Sequence, residues 1–379
     1  MSLPLEGITV VSIEQAVAAP FATRQLADLG ARVIKVERDS GDFARDYDTK
    51  VLGMASYFVW LNRGKESVVL DLKSEAGSAA LRKLIGTADV FVQNLAPGAA
   101  ERLGVGADDA LAMNPRLIHV SISGYGSGGP YERKKAYDLL VQCEAGLLSV
   151  TGTPDSPAKS GISIADIATG MYAYSGVLAA LLQRAATGRG DVLEISMLEA
   201  LGEWMSQPYF YAEYGRTQQP RSGAEHASIA PYGPFGTADG TVFFGIQNER
   251  EWTRFCETVL RAPEVATDQR FAGNAKRVDN RPALHARIDD ELSSLTSAEV
   301  IERLERAGIA NAELRDMNGF SQHPQLEARH RWREVDSPVG PLRSLLPPVT
   351  ARSFEARMGG VPALGDHTDL VLAELEKRG

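Results

Sequence analysis

The stretch Gly7–Glu37, GITVVSIEQAVAAPFATRQLADLGARVIKVE, decides the fold of this chain. Its first part, Gly7–Ile13, is rich in apolar and β-branched residues and predicts a buried strand. Pro20–Leu29 has the apolar spacing of a helix, and Gly30 is a typical residue to end it. Ala31–Glu37 then predicts a second strand. A strand, a helix and a strand in this order indicate a parallel βαβ unit.

The same alternation continues to about residue 200. Further strands are predicted at Ser67–Leu72, Asp89–Asn94, Leu117–Ser123 and Asp191–Ser196, with a helix over Ser74–Ile85. The sequence therefore predicts an α/β fold whose large domain is a Rossmann-like parallel sheet. Ligands of such sheets bind beyond the carboxyl ends of the strands, so the loops at 14–19, 38–42, 94–98 and 124–130 are the expected binding loops.

The composition and pattern of the sequence change after residue 197. We predict a large domain made of 1–197 and 332–379, a linker at 198–224, and a smaller α+β domain at 225–331. Within the smaller domain, Gly236–Gly240 is predicted to join two short strands as a hairpin.

Composition narrows the class of protein. Hydrophobic residues make up 44% and charged residues 23% of the 379 residues, as in soluble globular proteins. The net charge of −9 argues against binding to nucleic acid or to an anionic membrane. Cys143 and Cys256 show no disulfide pattern, the six histidines show no metal-ligand spacing, and no leader or membrane span is apparent. We expect a cytoplasmic protein without a metal site.

Two common enzyme motifs are absent or misleading. Gly124–Gly129 matches G-x-G-x-x-G, but Pro130 and the charged Glu132–Lys135 follow where a dinucleotide site needs an apolar helix. No G-x-S-x-G elbow follows a predicted strand, so a serine hydrolase is disfavoured.

Asp166 lies where a small, flexible loop meets the most apolar predicted helix. Asp166 is part of the segment Ser160–Gly170. After it, large apolar residues recur at helical spacing at Ile167, Met171, Tyr174, Leu178 and Leu181. The predicted helix ends at Gly188. A carboxylate in a first helical turn is favoured by the helix dipole. From the residues alone Asp166, or Ser163 before it, is a helix cap or else Asp166 is a nucleophile.

Several motifs, in order along nearly the whole chain, resemble the class III CoA-transferases, which include formyl-CoA transferase, carnitine CoA-transferase and the α-methylacyl-CoA racemases. The motifs that carry this resemblance are Ala19–Glu37, Asn62–Lys65, Leu70–Lys73, Gln93–Gly98, Ser123–Gly126, Tyr137–Leu139, Thr151–Gly152, Ile164–Gly170, Thr187–Gly190 and Leu364–Thr368.

The resemblance implies that Asp166 is the catalytic aspartate of a transferase of sulfur-containing groups. Its carboxylate would attack the thioester of an acyl-CoA, giving an acyl-aspartyl anhydride and then an aspartyl-CoA thioester. The substrates implied are an acyl-CoA and a small carboxylic acid, with coenzyme A passing through as substrate and no permanently bound cofactor. The family also forms interlocked homodimers.

The resemblance also implies residues that bind substrates. The candidates for binding coenzyme A are Arg38, Leu70, Lys73, Asn94, Leu95, Arg102, Lys135, Tyr137 and Met197, and those for substrate loops are Gln15, His226, Tyr232 and Gly233.

Two departures from the family pattern affect the expected reaction. The racemases carry a His-Asp pair where this chain has Tyr137-Asp138, and a tyrosine of ordinary pKa is a poor proton-exchange partner, which favours transfer over racemisation. The glycine-rich lid of formyl-CoA transferase is replaced by His226–Gly236, which is closer to members that use succinyl-CoA and small dicarboxylic acids. An α-methylacyl-CoA racemase and a non-catalytic CoA-binding protein stay open as alternatives.

Overall fold

The computed structural model describes residues 2–377, which divide into two compact units. The first unit contains the residues up to Leu147, Ser160–Gln207 and the residues from Gln325 onward. The second contains Leu148–Lys159 and Pro208–Pro324.

Helices occur throughout both units. Within residues 2–377 the α-helices are α1 (Ala18–Asp28), α2 (Ser56–Asn62), α3 (Glu75–Thr87), α4 (Ala99–Arg102), α5 (Ala107–Met113), α6 (Asp138–Glu144), α7 (Leu147–Val150), α8 (Ile164–Thr187), α9 (Met197–Trp204), α10 (Ser206–Gly215), α11 (Glu249–Arg254), α12 (Asn274–Asp279), α13 (Arg281–Leu292), α14 (Ser297–Ala307), α15 (Met317–Ser321), α16 (Pro324–Ala328) and α17 (Thr368–Lys377). Phe43–Asp46 and Pro263–Thr267 are 3₁₀ turns, and Phe255–Val259 is a π-helical turn.

The first unit is built around a parallel six-stranded sheet. Its strands are β1 (Thr9–Ile13), β2 (Arg32–Glu37), β3 (Lys65–Val69), β4 (Val90–Gln93), β5 (Ile118–Ser123) and β6 (Asp191–Ser196). They pair in the order β3-β2-β1-β4-β5-β6, which is the Rossmann order. The predicted parallel α/β sheet is confirmed. β3 ends before the predicted Leu72, because Ser74 N–H donates to Asp71 O in a turn that leads into α3.

Both faces of this sheet are covered by helices because alternate strand residues point to opposite sides. Val10 packs on the side of α1 and α8, whereas Val11 packs on the side of α3, α5 and α17. α17 is anchored at the sheet edge, where Val69 N–H donates to Thr368 Oγ1 over 2.9 Å.

The second unit has its own antiparallel sheet and core. β7 (Tyr232–Gly236), β8 (Thr241–Gly245) and β9 (Ala310–Glu313) pair in the order β9-β8-β7. The hairpin predicted at Gly236–Gly240 is present, closed by Thr237 N–H donating to Gly240 O. The core beneath it is apolar and includes Phe235, Phe244, Trp252, Leu284 and Leu304.

The remaining strands are short. β10 (Trp332–Val335) and β11 (Leu342–Leu345) form a hairpin in the first unit. Gly152–Thr153 and Ser156–Pro157 form a two-residue ladder in the second. Arg221 donates to the carbonyls of Thr153 and Pro154, which explains why 148–159 groups with the second unit.

The stretch 198–224, expected as a linker, is mostly helical. α9 and α10 together extend from Met197 to Gly215. Turn residues such as Gly223 follow only after these two helices. The polar composition that suggested a linker therefore belongs to the part after Gly215.

α8 is, among the helices in residues 2–377, the one long and apolar enough by length and composition to cross a membrane. The expectation that no stretch comes near a membrane span was wrong for this helix. Its small residues, among them Ala168, Ala173 and Ala180, are buried in the core of the first unit. A high content of alanine explains both the high mean hydropathy of α8 and its close packing.

The crossing of α1 and α8 depends on Gly170. A Cβ at this position would lie 2.7 Å from Ala18 O and 2.9 Å from Phe21 Cδ1. Only glycine therefore lets the first turn of α1 lie directly on α8. This contact fixes the start of α1 beside Asp166, one turn earlier in α8.

We predict that Gly170→Ala destabilises the protein by about 1–3 kcal/mol, because an added methyl would force α1 away from α8. Gly176→Ala is the matched control in the same helix, since its Cβ would meet Leu193 Cδ1 at an ordinary 3.5 Å. There the better helix propensity of alanine should leave stability unchanged or raise it by up to about 1 kcal/mol. Urea unfolding measures both. Equal effects of the two substitutions would contradict this packing model.

Candidate active site

Asp166 lies in the first turn of α8, and that turn is capped by another helix. Ser163 is the N-cap residue, but its side chain makes no capping hydrogen bond. Instead, Asp138 Oδ1 accepts from the backbone N–H of Ala165 at 2.8 Å and of Asp166 at 3.4 Å. Of the two alternatives that the sequence left open, capping by the side chain of Ser163 or Asp166 is not observed, because the capping oxygen comes from α6, which is distant in sequence. The carboxylate of Asp166 is thereby left for another role.

The capping carboxylate is itself held in place. Gln142, a fully buried side chain one turn along α6, donates to Asp138 Oδ2 over 2.6 Å. The Oε1 atom of Gln142 accepts from the backbone N–H of Ser160 at 2.9 Å. These bonds tie the loop before α8 to α6 and fix the direction in which Asp166 enters the site.

A second helix start meets Asp166 from the other side. The backbone N–H of Ala18, the first residue of α1, lies close enough to the Asp166 carboxyl to lower its pKa. Backbone N–H groups at helix starts favour negative charge. Asp166 therefore lies where the starts of α1 and α8 converge.

The pKa of Asp166 is raised from 3.8 to about 7. Burial is the main cause, and the negative charge of Asp138 adds to it, whereas the hydrogen bond from Ala18 works in the opposite direction. With a pKa of about 7, the carboxyl group is only partly ionised near neutral pH, and it is poorly solvated. An anion in this state is more reactive than one fully hydrated on the surface.

Tyrosines next to Asp166 were not identified from the sequence. Tyr47 and Tyr57 meet edge to face with ring centroids 5.6 Å apart, and the hydroxyl of Tyr57 is 3.2 Å from Ser163 Oγ. The pKa of Tyr47 is raised to about 12, mainly by burial and then by the charges of Asp42 and Asp166. Tyr57 comes shortly before the Asn62–Lys65 motif, and this position was the one sequence signal that could have identified it.

Gln15 and Asn94, both predicted site residues, are brought together. Gln15 N–H donates to Asn94 Oδ1, and Asn94 Nδ2 donates back to Gln15 O, each over 2.9 Å. Tyr137 precedes α6 and is 66% exposed, so its side chain is open to a ligand. It lies near enough to Tyr47 to contribute to the raised pKa of that residue, which places it on the Asp166 side of the unit.

The four predicted cations all follow the carboxyl ends of sheet strands. Arg38 follows β2, Lys73 follows β3, Arg102 ends α4 after β4, and Lys135 lies in the loop after β5. All four are exposed, and none forms an ion pair with another residue in the range 2–377. Arg38 Nε donates to Gly41 O over 3.0 Å, which leaves the rest of the guanidinium group available.

The predicted apolar residues are more buried than expected for ligand contacts. Leu70 is only 6% exposed and packs in the core beneath α3. Leu95 is half-buried against the same core. Met197 packs with Ala165 and Leu201, so it supports the start of α8 from behind.

The predicted residues of the second unit form a local group. The rings of His226 and Tyr232 stack 5.2 Å apart, and His226 N–H donates to Tyr232 O over 2.9 Å. Gly233 approaches Glu225 so closely that a Cβ would lie 3.2 Å from Glu225 Cα. Arg281 donates to the Glu225 carboxylate and to His226 O.

The loop Gly124–Gly129 does not have the geometry of a dinucleotide fingerprint. No helix follows β5 until α6 begins at Asp138. The loop is fastened to β6, where Glu194 accepts hydrogen bonds from the backbone and the hydroxyl of Ser127. Within residues 2–377, no cluster of three or more His, Cys, Asp or Glu residues could hold a metal ion.

Comparison with known proteins identifies the family to which this fold belongs. The model of CoA-transferase family III matches residues 5–368. Succinyl-CoA:glutarate CoA-transferase of Homo sapiens is 32% identical over 381 residues, covering 98% of this chain and 86% of the human protein. Acetyl-CoA:oxalate CoA-transferase of Acetobacter aceti is 34% identical over 330 residues, covering 86% of this chain and 85% of that protein.

A solved structure extends the comparison to three dimensions. The crystal structure of a CAIB/BAIF family protein from Brucella suis superposes with a TM-score of 0.88 at 31% identity, covering 99% of this chain and 100% of that one. The chain therefore belongs to CoA-transferase family III. It is a CoA-transferase, and its substrates are CoA thioesters and carboxylic acids.

The raised pKa of Asp166 makes a prediction about stability. A carboxyl whose folded pKa lies above its unfolded pKa destabilises the fold once the pH rises above the unfolded value, and the cost is complete above the folded value. Asp166→Asn removes this cost, so it should stabilise the protein at pH 8 by up to roughly 4 kcal/mol, with the gain fading between pH 7 and pH 4.

Thermal unfolding of both proteins across this pH range measures the difference. Asp191→Asn, which changes an exposed aspartate of the same unit, is the control and should shift Tm only slightly. If the gain from Asp166→Asn were as large at pH 4 as at pH 8, titration of Asp166 would not be its cause.

Proposed function

We propose that the protein moves coenzyme A between a short-chain acyl-CoA and an acceptor carboxylic acid, with Asp166 as the nucleophile. The observation that carries the proposal is the position of the Asp166 carboxylate. It is partly ionised at neutral pH and more fully above it, it is poorly solvated, and it does not cap α8 because Asp138 does.

The first half of the reaction removes the donor acid. A carboxylate oxygen of Asp166 attacks the thioester carbonyl, the C–S bond breaks, and coenzyme A leaves as a thiolate, giving an acyl-aspartyl anhydride. The thiolate then attacks Cγ of Asp166, and the bond from Cγ to the bridging oxygen breaks. The donor acid departs with that oxygen, and an aspartyl-CoA thioester remains.

The second half repeats these steps in reverse. The acceptor carboxylate attacks Cγ of Asp166 and displaces the thiolate, which forms a new anhydride. The thiolate attacks the carbonyl of the acceptor, the new acyl-CoA forms, and Asp166 leaves as a carboxylate. No net proton is transferred. The Ala18 N–H, which lowers the pKa of this carboxyl and so favours its ionised form, stabilises it as the leaving group in the last step.

We assign the binding of coenzyme A to the exposed cations at the carboxyl edge of the sheet. Arg38, Lys73, Arg102 and Lys135 can neutralise the phosphates of the nucleotide, which an acidic protein would otherwise repel. Coenzyme A would then lie across the carboxyl ends of the strands, where ligands of such sheets bind.

The acids proposed as substrates are short dicarboxylic acids, with succinyl-CoA as a donor. Two relatives carry names that include glutarate and oxalate, both dicarboxylic acids. The absence of a glycine run at 226–236 argues for glutarate-sized acids over oxalate.

Racemisation of an acyl-CoA is the second candidate reaction, and the contacts of Asp138 argue against it. A base that exchanges α-protons must be free to take a proton. Asp138 instead uses one oxygen for two backbone N–H groups and the other for Gln142. Deuterium entering the α-position of an acyl-CoA from solvent, without any acceptor acid, would favour the racemase.

We also propose that the protein is an interlocked homodimer. α10 has no buried residue and exposes an aromatic row of Tyr209, Phe210 and Tyr214. Exposed apolar surface of this kind is characteristic of interfaces, and the occupant that fits the family is a second copy of the chain. A monomer mass in light scattering would refute the dimer.

We predict that Asp166→Ala lowers the rate of transfer from succinyl-CoA to labelled glutarate by roughly 10⁴-fold or more, as expected for loss of a nucleophile. In the wild type, kcat/KM should fall roughly tenfold for each pH unit below about 7, because protonation of Asp166 removes the nucleophile.

The control is Asp191→Ala, which should keep the wild-type rate and pH profile. The exchange assay also covers the non-catalytic alternative, because a CoA-binding protein would move no label into the thioester. Full activity of Asp166→Ala would end the proposal.

A further inference from the structure

A cluster of buried charged side chains lies behind the turn between β1 and α1. Lys35 Nζ is 2.6 Å from Asp42 Oδ2, and Lys65 Nζ is 2.6 Å from Glu14 Oε1. Both lysines also donate to Asn62 Oδ1. The four charged side chains have no exposed surface at all.

Such a cluster is costly to build. Removing each ion from water costs several kcal/mol, and apolar side chains of similar size would often be as stable. The cost is visible in Lys65, whose pKa is lowered to about 7 mainly by burial. The negative charge of Glu14 raises this pKa, whereas the positive charge of Lys35 lowers it further. Stability alone does not account for the cluster, so we consider which atoms it holds.

The cluster holds the backbone of the β1–α1 turn. Asp42 Oδ1 accepts from Ala16 N–H over 3.1 Å, and Ala16 has the strained φ of 60°. Lys65 Nζ donates to Pro20 O over 3.1 Å. Thr23 Oγ1 donates to Glu14 Oε2 over 2.7 Å, from one turn further along α1.

The turn held in this way leads directly to Asp166. Its backbone continues from Ala16 into Ala18, which lies against Gly170 of α8 and whose N–H lowers the pKa of the Asp166 carboxyl. Asn94 fixes Gln15 from the opposite side. The bonds made by Asp42, Lys65, Thr23 and Asn94 therefore act on the segment that leads to Ala18.

We propose that Glu14, Lys35, Asp42, Asn62 and Lys65 form a positioning cluster for Asp166, which fixes the β1–α1 turn so that the Ala18 N–H is aimed at the carboxylate. The proposal rests on the proposed function of Asp166. None of the five residues needs to touch a substrate. The cluster should therefore affect the ionisation and reactivity of Asp166 without affecting the binding of acyl-CoA.

Asp42→Asn tests this proposal most directly. An amide cannot accept from both Ala16 N–H and Lys35 with its two terminal atoms, so one of the two contacts is lost. Thr23→Val is a milder second variant, which keeps a similar shape and removes one donor to Glu14. It tests the proposal if Asp42→Asn does not fold. The control is Asp28→Asn, which disrupts a second cluster, with Arg24 and Arg63 near the other end of α1, whose side chains are at most 10% exposed.

The first readout is the titration of the Asp166 carboxyl carbon by NMR, assigned with Asp166→Asn, and it requires no activity. Losing a hydrogen bond to the ionised form raises a pKa, so Asp42→Asn should move the midpoint up by about one pH unit, and Thr23→Val by less. The second readout is kinetic. Asp42→Asn should lower kcat about tenfold or more at pH 7 and leave KM for acyl-CoA within about twofold.

Asp28→Asn should lower Tm but leave both readouts at wild-type values. Wild-type midpoints and kcat in Asp42→Asn and Thr23→Val, or equal shifts in Asp28→Asn, would overturn the positioning role. An active Asp166→Ala would instead refute the nucleophile, while the NMR titration would still decide whether the cluster controls the carboxyl.

Discussion

The close contact of α1 with α8 at Gly170 is the constraint on which the site depends. It brings the start of α1 beside Asp166, one turn from the glycine, where the Ala18 N–H lowers the pKa of the carboxyl. The same contact buries the small-residue face of α8 and so contributes to the core of the first unit. Packing and chemistry are therefore determined by one crossing of two helices.

Around this crossing the protein balances two opposing effects on one carboxyl group. Burial and the nearby Asp138 oppose ionisation, whereas the Ala18 N–H supports it. A fully solvated aspartate would be ionised but unreactive, and a fully buried one would be protonated. The intermediate position gives an anion that can attack a thioester near neutral pH, at a cost in stability that functional sites commonly carry.

The sequence predicted those parts of the fold that depend on local patterns. The parallel sheet followed from alternating apolar strands and helices, and the end of α8 followed from Gly188, which adopts a left-handed conformation there. The capping of α8 by Asp138 was missed because 28 residues separate it from Asp166. Periodicity within α8 also did not reveal that its buried face is the one with small residues, since that depends on how closely α1 approaches.

The site residues, too, could be predicted from the sequence only where a local pattern marks them. Asp166 was identified through a motif, whereas Tyr47 and the cluster around Lys65 depend on contacts between strands and loops that no local pattern records. Arg38 and Lys73 were placed at the carboxyl edge because strand ends can be predicted from the sequence. Leu70 shows the limit of this approach, because it follows a strand end but points into the core.

The central claim, that Asp166 carries the acyl group, can be measured by following oxygen. In the proposed mechanism, one oxygen of the acceptor carboxylate stays on Cγ of Asp166 after each turnover. The enzyme is incubated with acyl-CoA and an acceptor acid labelled with oxygen-18, in unlabelled water, and its peptides are analysed by mass spectrometry. The account predicts heavy oxygen in the peptide that contains Asp166. Turnover that leaves this peptide unlabelled would contradict it.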